Sequence, residues 1–138
     1  MFGGAHVLIL EDEAIIAFDL AAAVEAAEGI VVGPAGTVAA ALVLMDEQDV
    51  SAAILDVTLP DGELTPVASR LMERGVPVIV HAGVAAPDEL RQRYPDLPVY
   101  LKPTSSDGLV AALCHMMAEQ QPAESPRAPL AATSGRRQ

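Results

Sequence analysis

Five short, almost wholly apolar stretches recur along this 138-residue chain, separated by segments with helical spacing. They are HVLIL (6–10), IVVGPA (30–35), AAIL (52–55), VPVIV (76–80) and LPVYL (97–101). A strand that is apolar at nearly every position must be covered on both faces, which is the condition of a parallel sheet between helical layers. The intervening segments supply the covers. Ile16, Leu20, Val24 and Ala27 fall on one helical face within 13–28. Thr37 reads as the N-cap of a helix carrying Val38, Leu42 and Met45. Leu64, Val67, Ala68 and Leu71 line a third helix stopped by Gly75. Pro87 and Pro95 confine a fourth, short helix, and Ser105 or Ser106 caps a fifth through Leu109, Val110, Leu113, Met116 and Met117. The expected class is α/β, a doubly wound five-stranded parallel sheet. Local pattern does not determine the strand order.

With 51% hydrophobic residues and only 3% aromatic, the core must be built from Ala, Val, Leu and Ile. Such small side chains suit helices packed closely on a sheet. Residues 1–120 are expected to form one domain. The remainder, 121–138, is Pro, Ala, Ser and Arg without period and reads as a disordered tail. No apolar run approaches the ~18–20 residues of a membrane span, and no basic segment opens the chain as a signal peptide would require. A single cysteine, Cys114, excludes an internal disulfide, so a cytoplasmic protein is expected. Residues 1–120 hold 18 acids against five bases, a net −13. A domain this acidic repels nucleic acid and lipid headgroups, so neither is expected as a partner.

The chemistry collects at the strand ends. In open α/β sheets ligands sit outside the carboxyl ends of the strands. Those ends carry Glu11, Asp12 and Glu13 after the first strand, Asp56 after the third, His81, Ala82 and Gly83 after the fourth, and Lys102-Pro103 after the fifth. Aspartate is poor in strands and costly to bury alone, so Asp56 needs either a turn or a purpose. If strands one and three are neighbours, Glu11, Asp12 and Asp56 converge. Three clustered carboxylates raise one another's pKa unless a cation joins them, and hard oxygen ligands with room for water suit Mg2+. Lys102 is the only lysine of the chain. At the rim of an acidic pocket it can balance charge and grip an oxyanion.

In order along the chain, the acidic pair Glu11-Asp12, the strand-end Asp56 followed by VTLPDG, and Lys102-Pro103 resemble the receiver domain of two-component response regulators. The resemblance runs from about His6 to Met117. It implies a flavodoxin-like sheet in the order 2-1-3-4-5. It also implies Asp56 as the phosphoacceptor, and Mg2+ held by Asp12, Asp56 and the Thr58 backbone carbonyl, with Glu11 acting through water. Lys102 would contact the phosphoryl oxygens. A sensor histidine kinase or a histidine phosphotransfer protein would donate the phosphoryl group, and an unknown downstream protein would receive the output by direct contact.

Two positions depart from that pattern. Receivers usually carry Thr or Ser at the end of strand four, where this chain has Ala82, and an aromatic residue three places before the lysine, where it has Val99. Tyr100 stands one place later and should face the opposite way. VHAGV (80–84) resembles a subgroup with a Phe-x-Thr-Gly pattern at Gly83 alone. His81 is either a substitute phosphate contact or a strand histidine facing a helix. The expected function is therefore that of a phosphorylatable, non-enzymatic single-domain receiver. One alternative is a pseudo-receiver adaptor that binds a partner without phosphorylation. Another, suggested by DVTL, is a haloacid-dehalogenase-like phosphatase, although there the nucleophile usually follows the first strand.

Overall fold

Parallel pairing joins all five strands into one sheet in the order β2-β1-β3-β4-β5. The computed structural model describes residues 1–120, so the expected disordered tail at 121–138 lies outside the described residues. In chain order the elements are β1 (His6–Leu10), α1 (Ala14–Ala26), β2 (Ile30–Ala35), α2 (Val38–Glu47) and β3 (Ala52–Asp56). They continue with α3 (Thr65–Glu73), β4 (Val78–Ala82), α4 (Asp88–Arg93), β5 (Val99–Leu101) and α5 (Ser106–Gln120). This is the doubly wound, flavodoxin-like arrangement. No helix among the described residues is long and apolar enough to cross a membrane.

Strand side chains alternate between two hydrophobic layers. On one face Leu8, Leu10, Ala53, Leu55, Val80 and Ala82 pack with Ala41 and Met45 of α2, Val67 and Leu71 of α3 and Leu90 of α4. On the other, Val7, Ile9, Ile54 and Ile79 pack with Leu20 and Val24 of α1 and Leu109 and Leu113 of α5. Phe2 joins this second layer, its ring lying where a Gly29 side chain would have to go. The local chemistry of the helix ends follows the sequence closely. Thr37 Oγ1 accepts from the Ala40 amide at 3.0 Å, and Ser105 Oγ accepts from the Gly108 amide at 3.0 Å. Gly75, at φ 74, closes α3: its amide donates to Met72 and that of Val76 to Leu71, each at 3.0 Å.

Two strands begin later than their apolar runs. Strand four was expected over 76–80 and spans Val78–Ala82; strand five was expected over 97–101 and spans Val99–Leu101. Pro77 and Pro98 have no amide to donate, so each joins the ladder only through its carbonyl, to Ala53 and Val80 respectively. At its other end β4 runs through His81 and Ala82, because His81 is paired with Asp56 on one side and Tyr100 on the other. Leu64 precedes α3 as its N-cap rather than lying within it.

Candidate functional site

Because β1 and β3 are adjacent and in register from Val7–Ala52 to Leu10–Leu55, the residues that follow emerge side by side at the carboxyl edge. Glu11 and Asp56 are 3% and 2% exposed, whereas Asp12 is exposed. The three carboxylates offer oxygens that all lie within 4.8 Å of one another. The Thr58 amide donates to Asp56 Oδ1 at 3.3 Å, and the Glu13 amide to Glu11 Oε2 at 3.1 Å. From the loop after β5, Lys102 Nζ reaches Asp56 Oδ1 at 3.3 Å and Glu11 Oε1 at 3.7 Å.

Charge is unequally compensated here. Burial first, and then the neighbouring Asp56 carboxylate, push the Glu11 carboxyl up to about 7, against the pull of the Glu13 amide and Lys102. Burial works to lower the Lys102 pKa, but the charges of Asp56 and Glu11 outweigh it and hold the ammonium above its usual value. Glu11 Oε1 and Asp56 Oδ2 are both buried without a hydrogen-bond partner. Such oxygens are expensive to leave unsatisfied, so one lysine does not complete the site. Hard, anionic oxygen donors with an open side at Asp12 fit a small divalent cation such as Mg2+, which keeps part of its water shell.

The sites where the sequence lacks a hydroxyl and an aromatic ring lie elsewhere. Ala82 is fully buried in the layer of α2, α3 and α4, and Val99 packs against that same layer. Tyr100 packs with α1 and α5, as alternation along β5 requires. His81 is 3% exposed, sits beside Asp56 in register, and has no hydrogen-bond partner at either ring nitrogen. Burial and the charge of Lys102 hold its pKa down. It thus occupies the Asp56 face of the sheet, opposite to that of Ala82.

Sequence reasoning missed Asp61. Its Oδ1 and Oδ2 accept from the Val38 and Ala39 amides of α2 at 2.8 and 3.0 Å. Those two bonds lower its pKa, Ala39 foremost. A cap contributed from 22 residues away has no local signature.

No protein-family model matches the chain, and no curated protein does. Solved structures do. A 38% identical chain is the BeF3-activated conformation of SdrG from Pseudomonas melonis Fr1, with a TM-score of 0.64 over 85% of this chain and 99% of that one. The response regulator PhyR from Brucella abortus is 28% identical, with a TM-score of 0.66 over 86% of this chain. This chain spans about half of that protein, 51% of its length. A CheY-like response regulator receiver domain protein from Methanospirillum hungatei shares the fold at 21% identity, with a TM-score of 0.73 over 86% of this chain and 97% of that one. The chain belongs to the response-regulator receiver family. The strand order of this receiver is that of the family's fold, and Asp56 stands at the end of its central strand.

Proposed function

We propose that this receiver accepts a phosphoryl group on Asp56 and transmits its state by contact with another protein. One observation carries the proposal: a buried aspartate at the end of β3 has a lysine at 3.3 Å and two further carboxylates within 4.8 Å. A carboxylate oxygen of Asp56 forms the new P–O bond as the P–N bond of a donor phosphohistidine breaks. The imidazole nitrogen keeps the electron pair and takes a proton from solvent. Lys102 meets the phosphoryl oxygens, offsetting charge where it spreads in the transition state. Asp12, Asp56 and the Thr58 carbonyl would hold Mg2+, with Glu11 acting through water. Bound there, the cation would neutralise charge on the same oxygens.

The donor in a signalling pathway would be a protein, a sensor histidine kinase or a histidine phosphotransfer protein. α1 starts at the pocket and leaves Ile15 and Phe18 79% and 77% exposed on its outer side. An apolar helical face beside the acceptor is where a donor helix would seat. The net −13 of residues 1–120 supports partners that are neither nucleic acid nor membrane, and the single cysteine fits a cytoplasmic setting. Residues 1–120 would act as one receiver domain with a non-enzymatic role.

The experiment is incubation with acetyl phosphate and Mg2+, read by intact mass. Wild type is expected to gain one phosphoryl group and Asp56→Asn none. Sustained hydrolysis of a generic phosphate monoester would instead favour the phosphatase. The pseudo-receiver reading is favoured by one observation, the apolar Ala82 and Val99. A wild type that stays unlabelled under these conditions would support it.

A further inference from the structure

The loop between β3 and α3 carries Thr58, and it is fastened to a part of the molecule that plays no direct part in the chemistry. All the free amides at the start of α2 are taken: Val38 and Ala39 donate to Asp61, and Ala40 donates to Thr37. Ala41 makes the first bond within the helix, to the Thr37 carbonyl at 3.1 Å. Two caps of different origin thus serve one helix end. Thr37 belongs to the helix, whereas Asp61 belongs to the loop that leaves Asp56. A carboxylate at a helix N-terminus is favourable in its own right, so the loop is held by charge as well as by two hydrogen bonds.

The same entrance to α2 touches the other acidic loop. The Glu11 amide donates to the Ala35 carbonyl at 2.8 Å, and a side chain on Gly36 would come within 3.9 Å of Asp12 Cα. The connection from β2 to α2 therefore abuts the Glu11-Asp12 loop and holds the Asp56–Thr58 loop. We infer that Asp61 is a positioning residue: its grip on the α2 N-terminus presets the β3–α3 loop, so that Thr58 stands ready beside Asp56 when a divalent cation binds. The inference rests on the cation reading of the proposed function. Loop residues held in place beforehand need not be ordered at the moment of binding, and that ordering cost is removed from the affinity.

The test uses Mn2+ alone as the probe, with binding followed by electron paramagnetic resonance and loop order by amide hydrogen exchange over 57–64. Asp61→Ala is expected to weaken Mn2+ binding about tenfold and to speed exchange in the loop. Thr37→Ala removes the helix's own cap, with a comparable loss of thermal stability, yet should leave Mn2+ affinity within about twofold. Asp61→Asn keeps one accepting oxygen and is expected between these two. It carries the test if Asp61→Ala fails to fold. Equal weakening by Thr37→Ala, or unchanged affinity in both Asp61 variants, overturns the inference while leaving the cation site in place. If wild type binds no Mn2+ and Asp12→Ala changes nothing, the cation reading itself falls, and the purpose of the anchor with it.

Discussion

The edges of β3 and β4 lie side by side in one sheet and have been furnished in opposite ways. At the end of β3 the chain buries charge at high cost: Asp56 and Glu11 share one lysine, and each keeps an oxygen without a hydrogen bond. At the end of β4, where receivers usually place a hydroxyl, Ala82 is fully buried among apolar neighbours, and Val99 packs against the same layer. The difference separates two tasks. Accepting a phosphoryl group needs a nucleophile and cations, and those residues are gathered. Reporting it through a hydroxyl needs a polar group on the α2–α3–α4 face, and neither switch position supplies one.

The largest effect expected is at the metal. Asp12→Ala should lower Mg2+-dependent labelling of Asp56 by about a hundredfold or more, while circular dichroism shows the fold intact. Labelling at the wild-type rate would break the acceptor half of the comparison. Next comes Lys102→Ala, expected to slow labelling about tenfold to a hundredfold with the Mg2+ affinity retained. Loss of Mg2+ binding with normal labelling would reverse the roles assigned to the two cations.

A smaller effect concerns acidity. The Glu11 carboxyl is raised to about 7 by burial and by Asp56, so the metal-free native state binds a proton that the unfolded chain releases near 4.5. The native state binds the extra proton between those values, so stability must fall as pH rises from about 4.5 to about 7, by on the order of 3 kcal/mol. Urea melts at several pH values should show the decline in wild type and a flatter profile in Glu11→Gln. An unchanged profile in the variant would place the charge strain elsewhere. Smallest of all is the response at β4. A charge-assisted hydrogen bond contributes about 1.5–3 kcal/mol, and a switch can use no more than that differential. Ala82→Thr should therefore enlarge a conformational response that is small in wild type, as read from amide shifts over 80–86.

Much of this contrast was legible in the sequence. Lys102, Asp56 and the Glu11-Asp12 pair stand out because each interrupts or ends an apolar run, and strand ends converge in a parallel α/β sheet. The facing of Tyr100 followed from alternation alone. The start of β4 was less legible, since Pro77 looks like part of an apolar strand but brings no amide to the ladder. Phe2 lies outside any periodic segment, and only the tertiary fold shows that it fills the space beside Gly29. Asp61 was not legible at all, because its partners, Val38 and Ala39, belong to a helix distant in sequence. His81 could be placed on a strand, but its burial beside Asp56 depends on the register of β3 with β4.

One spectrum tests both halves of the comparison. Amide shifts are recorded for the wild type with Mg2+, before and after addition of beryllofluoride, a phosphoryl mimic on aspartate. Large shifts are predicted at residues 11–13, 56–58 and 102, with small ones at 80–86 and 99–101. No shift at 56–58 would contradict phosphoryl acceptance. Large shifts at 80–86 that Ala82→Thr leaves unchanged would contradict the silent β4 edge.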